Sequence, residues 1–350
     1  MSTNESTILR KEAAGRRRVA ALTQGIHVPS TRFRVEQHID ALSLLGIDIN
    51  HEPARHGAYP PVNKLERLNW LPCAVADAAL RVLRANKSDV CLLQRELVST
   101  LHTVERMINC PIVFDVDDAI FLHKRGRSID AIAKNANLII CGNSFLADHF
   151  SAAGAVEILP TAVDTSRFVP VSGSTSRPVI GWSGSSSGFA YLESIQEPLR
   201  IVLDRFPDAV FSVIADRPPT LPELPAEQLR FIQWNEETEV QGLQTFTVGV
   251  MPLSDTPWSR GKCSFKMLTY MAVGVPVVVS PVGMNGEVLA MGDCGLAAIS
   301  SDDWVDSLTT LLLDQDRSAT MGIAGRRIVE LHYSRDVIAP RFAELLQSVR

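Results

Sequence analysis

Three positively charged side chains lie close together in a part of the sequence that is otherwise acidic. Between residues 231 and 316 the only lysines and arginines are Arg260, Lys262 and Lys266. They stand immediately before and inside a predicted helix, where cations oppose the helix macrodipole and cost stability unless an anion is bound. The cluster therefore predicts a phosphate-binding site. A solvated basic turn, or a salt bridge to Asp255, would explain the same residues.

A loop rich in glycine and serine could meet the same anion. Residues 181–188 read GWSGSSSG and connect a predicted strand to a predicted helix. Glycines let the backbone approach a ligand, and Ser183, Gly184 and Ser185 offer hydroxyl and N–H groups to phosphate oxygens. Such loops also occur as plain connectors.

A third loop follows the most apolar predicted strand. Residues 281–287 contain Gly283, Met284 and Asn285, with Asn285 as the expected cap of the next helix. The glycine exposes backbone donors, and Glu287 could accept hydrogen bonds from sugar or ribose hydroxyls. Alternatively, Glu287 only complements the dipole of that helix.

The first half of the chain carries candidate groups for a second ligand. The segment 25–34, GIHVPSTRFR, joins a strand to a helix, with Gly25 in the turn and Ser30 as the expected N-cap. Arg32 and Arg34 stand near the start of that helix, where they could contact a substrate or form surface salt bridges.

Three aspartates cluster at the end of another predicted strand. Asp115, Asp117 and Asp118 could raise one another's pKa, act in proton transfer, or orient a substrate hydroxyl. One of them could instead cap a helix that begins near Ala119. Since His123 is the one histidine close by, no metal site is expected here.

Alternating short Val/Ile-rich runs and longer amphipathic stretches position these loops. This pattern predicts an α/β fold with two parallel sheets in tandem, each covered by helices. A polar segment with Pro and Gly separates them. The expected parts are a flexible tail over 1–17, a first domain over 18–165, a linker over 166–178, a second domain over 179–332, and a final helix within 333–350.

Composition excludes several classes of protein. The 350 residues are 46% hydrophobic with a net charge of −5, which fits a globular protein and excludes a general nucleic-acid binder. No run approaches the roughly 18 apolar residues of a membrane span, and the polar start resembles no signal peptide, so a cytoplasmic protein is expected. Six cysteines stand far apart, without metal or redox spacing. Nucleophile-elbow and P-loop motifs are absent, which argues against hydrolases and ATPases.

The stretch from Gly261 to Gly283, GKCSFKMLTYMAVGVPVVVSPVG, resembles the signature region of group 1 glycosyltransferases. These are retaining nucleotide-sugar enzymes with the GT-B architecture, in which two Rossmann-like domains face a cleft. Further similarities follow the family order: residues 30–34 (STRFR), 141–144 (CGNS), 158–164 (ILPTAVD) and 249–253 (GVMPL).

The resemblance implies a role for each candidate residue. It implies that the second domain binds the nucleotide-sugar donor without a metal ion or other cofactor, that the first domain binds the acceptor, and that the last helix crosses back to the first domain. Catalytic roles would fall to Lys262, Lys266, Asp117 and Asp118. The donor-binding residues would be Ser183, Gly184, Ser185, Arg260, Thr269, Gly283, Met284, Asn285 and Glu287, and the acceptor-side residues Gly25, Ser30, Arg32 and Arg34.

The sequence departs from the family pattern at several positions. The paired glutamates of the family are replaced by Gly261 and Thr269, a histidine by Asp117, and the Asn-Gly of a later motif by Thr161 and Ala162. A threonine can exchange hydrogen bonds with a ribose but cannot clamp its diol as a carboxylate does.

The expected activity is transfer of a sugar to a hydroxyl of a glycan, glycolipid or natural-product acceptor, as in polysaccharide biosynthesis. Retention follows from the resemblance; inversion would need a base, for which the aspartate cluster or His27 is available. The alternatives are a catalytically silent relative that binds sugars or a partner enzyme, and a sugar-nucleotide epimerase. The almost neutral first half shows no polybasic patch that would support peripheral membrane contact.

Overall fold

The computed structural model describes residues 15–99, 101, 103–171 and 177–350, apart from the side chains of 124–126. By its contacts the chain divides into two units: one runs up to Ala162 and includes Arg335–Arg350, and the other is Val163–Ser334. Most of the predicted N-terminal tail and residues 172–176 of the predicted linker lie outside the described residues. The last residue assigned to that tail, Arg17, already begins the first strand.

The first unit contains a parallel sheet of six strands in the order β2-β1-β3-β4-β5-β6. Its central strands are buried on both faces, which explains why they read as continuous apolar runs rather than alternating ones. The strands are β1 (Arg17–Thr23), β2 (Ile47–Pro53), β3 (Val90–Gln94), β4 (Ile112–Val116), β5 (Leu138–Cys141) and β6 (Val156–Ile158).

Helices follow most of these strands. They are α1 (Pro29–Arg34), α2 (Ile39–Leu44), α3 (Lys64–Ala85), α4 (Arg127–Ala133) and α5 (Ser144–Phe150), with 3₁₀ turns over Glu36–His38, Glu105–Met107 and Ile120–Gly126. The helix expected to begin at Ser30 is followed closely by a 3₁₀ turn and a second short helix. The expected N-cap at Ser30 is wrong, because α1 already begins at Pro29, whose fixed φ suits the first helical position.

The second unit also contains a parallel sheet of six strands, in the order β12-β11-β10-β7-β8-β9. Its strands are β7 (Val179–Ser183), β8 (Val210–Ala215), β9 (Leu229–Gln233), β10 (Val248–Met251), β11 (Val277–Val279) and β12 (Gly295–Ala297). The two parallel sheets confirm the predicted fold class.

The helices of the second unit pack on both faces of its sheet. They are α6 (Phe189–Glu193), α7 (Gln196–Arg205), α8 (Glu239–Leu243), α9 (Pro257–Arg260), α10 (Phe265–Ala272), α11 (Met284–Leu289), α12 (Ser301–Leu313) and α13 (Gln315–Ile328). Shorter helical turns cover Ser186–Gly188, Ala226–Gln228 and Val329–Tyr333. The final helix, α14 (Arg335–Ser348), belongs to the first unit. No helix among the described residues combines the length and apolarity needed to cross a bilayer.

Each sheet has one point where the strand order reverses. In the first sheet this point lies between β1 and β3, and in the second between β7 and β10. At such a point the loops that leave the two strands diverge and open a crevice beyond the carboxyl ends, where α/β proteins bind ligands. The loops predicted from the sequence to carry chemistry leave these strands or their neighbours.

Helix α14 completes the core of the first unit. Its residues Ile338, Phe342 and Leu346 are buried together with Val19 of β1 and Val90 of β3. The ring of His38, 2% exposed, meets the Phe342 ring edge-on at 5.6 Å between centroids. Histidine at this contact is therefore packed as an aromatic residue.

The contact makes the stability of the first unit depend on pH. Burial, assisted by the positive charges of Arg34 and Arg335, lowers the pKa of His38 to about 3 from its ordinary 6.5. Below about pH 6.5 the unfolded chain binds a proton that the folded chain does not, so the contribution of His38 is complete above that pH and is lost as the pH falls. Between pH 7 and pH 5 we expect the wild type to lose about 2 kcal/mol of unfolding free energy through this group.

The His38→Gln variant, which cannot titrate, should lack this loss. The unfolding free energy of the first unit is measured from hydrogen exchange of the amides of β1 and β3 at both pH values. An equal loss in both proteins would show that another group causes the pH dependence.

Candidate functional site

Lys266 lies beside the loop that leaves β7. Its Nζ is 4.9 Å from the centroid of the buried Trp182 ring, a cation–π contact. A Cβ added to Gly184 would come within 2.2 Å of Lys266 Cε, and one added to Gly188 within 3.7 Å of Lys266 Nζ. A side chain at position 184 would displace this lysine from its place against the loop. The structure thus brings the predicted cation and the predicted Gly/Ser loop together.

The loop itself is held by hydrogen bonds at both ends. The backbone N–H of Ser183 donates to Tyr270 Oη at 2.8 Å, and burial raises the pKa of that phenol. Ser186 donates to both carboxylate oxygens of Asp216, from its N–H at 2.5 Å and its hydroxyl at 2.8 Å. Burial acts to raise the pKa of Asp216, but these bonds lower it below its usual value. The loop is therefore preorganised.

A buried amide joins the other two predicted loops. Ser264 Oγ donates to Asn285 Oδ1 at 2.7 Å, and Asn285 Nδ2 donates to the Ser280 carbonyl at 3.1 Å. Asn285 is 0% exposed, so its side chain holds the loops together and does not face a ligand. The expectation that Asn285 caps the next helix is wrong: α11 begins at Met284, with Gly283 at the N-cap position.

Gly283 lies at a position where a residue with a side chain would have a strained backbone. Its φ is +55°, and an added Cβ would lie 2.8 Å from the Arg260 carbonyl oxygen. Met284 is buried, which leaves only its backbone for contact with a ligand, whereas Glu287 is exposed on the first turn of α11. The loops before α10 and α11 therefore touch through their backbones as well as through Asn285.

The three cations of the cluster have different partners. Arg260 Nε donates to Asp255 Oδ1 at 2.6 Å, and the Arg260 side chain is half exposed. The salt bridge considered as an alternative is thus present, and it holds Arg260 on the surface. Lys262 Nζ lies 5.2 Å from the centroid of the Trp258 ring. Lys266 is the cation that the geometry ties most closely to the Gly/Ser loop.

Thr269 occupies one of the positions where the family carries a glutamate. It is buried, and its Oγ1 donates to the Lys266 carbonyl at 2.8 Å within α10. The hydroxyl is therefore engaged inside its own helix.

In the first unit, the candidate residue Arg34 forms a buried ion pair. Its guanidinium donates to both carboxylate oxygens of Asp115, and its Nη1 donates to the Leu159 carbonyl at 2.6 Å. Both charged side chains are almost completely inaccessible to solvent. Of the two roles considered for Arg34, substrate contact and salt bridging, the structure shows a salt bridge, which is buried and links α1, β4 and the residue after β6.

Asp117 and Asp118 share a cation that sequence reasoning missed. Arg95, at the end of β3, lies 2.6 Å from Asp117 Oδ1 and 3.7 Å from Asp118 Oδ2 through its Nη2. Its Nη1 donates to Tyr59 Oη at 3.1 Å, and Tyr59 Oη donates to Gln24 Oε1 at 3.0 Å. Burial alone would lower the pKa of Arg95, but the carboxylates and Tyr59 raise it above its ordinary value. Side chains from three neighbouring strand ends thus form one network.

The remaining acceptor-side candidates lie on the same edge of the first sheet. Gly25 has a φ of +138°, and Ser30 gives its carbonyl to Gln94 Nε2 at 2.8 Å. Ser30 Oγ is buried without a hydrogen-bond partner in the described structure. Arg32 stacks on Phe33, with its Cζ 4.1 Å from the ring centroid. Ser30 therefore offers a hydroxyl that a bound molecule could engage.

Backbone strain marks both candidate sites. Among the described residues, the only non-glycine residues with positive φ are Arg95 at +56° and Ser264 at +50°. Such conformations cost of order 1–3 kcal/mol and concentrate at functional sites. Arg95 stands beside the reversal of the first sheet, and Ser264 is the N-cap residue directly before α10 in the second unit. No local sequence signal announced either conformation.

The arrangement offers two kinds of chemistry. In the second unit, a lysine, a glycine loop and preorganised backbone groups suit a phosphorylated ligand. In the first unit, carboxylates fixed by a buried arginine suit a ligand hydroxyl.

Comparison with known proteins finds a family match within the second unit. Residues 177–314 match the family model described as Glycosyl transferases group 1. Over 78 residues the chain is 35% identical to a protein of Mycobacterium tuberculosis named GDP-mannose-dependent alpha-(1-6)-phosphatidylinositol monomannoside mannosyltransferase. That match covers 22% of this chain and 20% of the relative, so the chain spans about a fifth of the relative it matches. The resemblance to group 1 glycosyltransferases inferred from the sequence motifs is confirmed over residues 177–314.

Solved structures resemble the whole fold. A sucrose-phosphate synthase from Thermosynechococcus elongatus superimposes with a TM-score of 0.73 at 15% identity, covering 95% of this chain and 99% of that chain. HepE from Anabaena, solved with UDP and glucose, gives a TM-score of 0.69 at 15% identity, covering 95% and 100%. Likeness at this level of identity establishes the fold.

The buried amide of Asn285 generates a stability prediction. Asn285→Ala leaves the Ser264 hydroxyl and the Ser280 carbonyl without this partner, which should cost about 1–3 kcal/mol. Unfolding in urea is followed by the fluorescence of Trp182 and Trp304, both buried in the second unit.

Asn235→Ala is the matched control. Asn235 is exposed and accepts a hydrogen bond from the Glu237 N–H at 2.8 Å, so its loss should cost less than about 1 kcal/mol. Equal destabilisation by the two substitutions would contradict a structural role for Asn285.

Proposed function

We propose that this chain, whose residues 177–314 form a group 1 glycosyltransferase domain, transfers a sugar from a nucleoside diphosphate donor to an acceptor hydroxyl. The observation that carries the proposal is the position of Lys266 against the Gly184 loop, beside the strand reversal of the second sheet. The relatives support the same donor class: one is named for GDP-mannose, and another was solved with UDP and glucose.

The second unit binds the diphosphate in this proposal. During transfer, the bond between the anomeric carbon and the phosphate oxygen breaks, and negative charge develops on the leaving diphosphate. Lys266 and Lys262 neutralise this charge, assisted by the N–H groups of Ser185, Gly283 and Met284 in the two glycine-containing loops. Arg260 contributes at most a long-range charge, because Asp255 holds it. Glu287, exposed on α11, accepts from hydroxyls of the donor.

The first unit binds the acceptor in this proposal. Asp118 contacts the acceptor hydroxyl, while Asp117 fixes Arg95 and Arg95 in turn keeps Asp118 oriented. Ser30 supplies a further hydrogen bond. The acceptor oxygen forms the new bond to the anomeric carbon as the bond from that carbon to the phosphate oxygen breaks, and its proton passes to the Asp118 carboxylate. A glycan, glycolipid or natural product supplies the hydroxyl, and the resemblance favours retention of configuration.

A silent sugar-binding protein is the competing function, since Gly261 and Thr269 replace the paired glutamates of the family. The two differ in what becomes of the donor. An enzyme releases the nucleoside diphosphate, slowly even without acceptor, whereas a silent relative binds donor and returns it intact. An epimerase would change the sugar without releasing nucleotide.

Lys266→Gln tests the donor site. Loss of the ammonium should weaken binding of UDP or GDP by roughly tenfold or more, because a hydrogen bond to a charged group contributes about 1.5–3 kcal/mol. Calorimetry measures the affinity, and nucleotide release from a panel of nucleotide sugars measures turnover. Arg260→Gln should have a much smaller effect, and added EDTA should have none if lysines neutralise the charge.

Arg230→Gln is the matched control, because Arg230 is exposed on the edge strand β9. If Lys266→Gln binds UDP and GDP as tightly as this control does, the proposed donor site is wrong.

Asp118→Asn tests the acceptor side. The amide keeps the shape of the side chain but cannot take a proton, so turnover should fall by about 10²–10⁴-fold while diphosphate affinity stays the same. Asp48→Asn, at a surface salt bridge with Arg16, serves as control. Unchanged turnover in Asp118→Asn would remove this carboxylate from the mechanism.

A further inference from the structure

Tyr59 combines a bound hydroxyl with an exposed ring. Its Oη donates to Gln24 Oε1 at 3.0 Å and accepts from Arg95 Nη1 at 3.1 Å. A phenol has a single O–H proton, and here that proton is already used within the protein. Tyr59 is nevertheless 50% exposed, and among the described residues no aromatic ring or cation stacks on it. What Tyr59 offers to a ligand is therefore the apolar face of its ring.

The loop between β2 and α3, which carries Tyr59, is fixed on both sides of this residue. Ala58 is buried, and its carbonyl accepts from the Ser99 N–H at 2.8 Å. From α3, Trp70 Nε1 donates to the His56 carbonyl at 2.9 Å. The ring of Tyr59 thus has its position before a ligand arrives, which lowers the entropic cost of binding.

Polar groups lie next to this ring at the same edge of the first sheet. Gln24 and Arg95 follow the neighbouring strands β1 and β3, and Arg95 in turn holds Asp117 and Asp118 after β4. The network contains one cation and two carboxylates, so its net charge is negative. A ligand that covers the ring therefore meets hydrogen-bond acceptors, and a phosphorylated or otherwise anionic ligand is repelled.

A sugar ring matches both the apolar and the polar part of this surface. One face of a pyranose carries C–H groups that pack against an aromatic ring, and the hydroxyls at its edge donate to carboxylates. A flexible aliphatic alcohol would lose more conformational entropy on the same ring. A flat aromatic alcohol would cover the ring but bring few hydroxyls to the two carboxylates.

We propose that the ring of Tyr59 is the surface on which a sugar ring of the acceptor stacks. The inference rests on the proposed function, in which Asp118 contacts the acceptor hydroxyl. Arg95 is bonded to Tyr59 and to Asp118, so the distance between the ring and the carboxylate is fixed. Stacking on Tyr59 therefore directs one edge of the acceptor sugar towards Asp118.

Saturation-transfer NMR on the full chain tests the stacking without any turnover. The probes are the methyl pyranosides of mannose, glucose and galactose, and the aromatic protons of the protein are irradiated. At least one of these glycosides should receive saturation at its ring C–H protons. Tyr59→Leu should weaken its binding by about tenfold through loss of the buried ring face, whereas Tyr59→Phe, which keeps the ring, should bind it as the wild type does.

Steady-state kinetics separate the ring from the hydroxyl. With a glycoside that binds, Tyr59→Leu should raise the acceptor KM by about tenfold. Tyr59→Phe should leave this KM unchanged and lower kcat a few fold, because Arg95 loses one of its hydrogen bonds. A residue that served only the stability of the loop would not divide the two constants in this way.

Leu44→Ala is the matched control for loss of an exposed apolar side chain. Leu44 is 90% exposed at the end of α2, which precedes β2 and so lies at the opposite edge of the sheet. This variant should bind the glycosides as the wild type does. All variants should keep the wild-type unfolding temperature and the wild-type affinity for UDP or GDP.

Three results would overturn the proposal. The wild type could bind none of the glycosides, or Tyr59→Leu could bind them as tightly as the wild type. Glycerol 3-phosphate or hexanediol, which offer hydroxyls without a sugar ring, could also be the better acceptors. If Asp118→Asn lowers turnover while Tyr59→Leu changes neither binding nor KM, the proposed function stands and the stacking on Tyr59 is wrong.

Discussion

The buried hydrogen bonds of Asn285 are the interaction on which the second unit's candidate site depends. They connect the start of α10, which carries Lys266, to the loop that begins α11. Two loops that follow different strands are thereby fixed relative to each other. A lysine side chain is flexible, so its ammonium is useful to a phosphate only if the backbone beneath it is fixed. The amide supplies that fixation from within the core.

In the first unit, ion pairs instead of an amide fix the side chains of the candidate site. Two adjacent carboxylates repel each other, and a buried guanidinium between them offsets the repulsion while it fixes their geometry. Arg95 accepts a left-handed backbone to reach Asp117, and Ser264 accepts one where α10 begins. In both units, surrounding contacts hold one residue in an unfavourable backbone conformation. Such conformations are expected where a structure is adapted to bind a ligand.

The alternation of strands and helices could be predicted from the sequence because both sheets are parallel and buried. The fold class and the positions of the loops that carry chemistry follow from this alternation. Contacts between residues that are distant in the sequence could not be predicted from it. Arg34 and Asp115 are 81 positions apart, and a buried arginine looks like any surface arginine in the sequence. Arg95 had no signal at all, since its role depends on a rare φ.

The path of the chain has a consequence for biosynthesis. The second unit is one continuous segment, whereas the first needs α14, which is translated after the whole of the second unit. Six residues of that C-terminal stretch belong to the first hydrophobic core: Ile338, Phe342, Ala343, Leu345, Leu346 and Val349. On the ribosome the early sheet must therefore wait, with part of its apolar surface uncovered, until the second unit and then α14 have been synthesised. The segment made later can finish folding first, and the newborn first half is the part most in need of a chaperone.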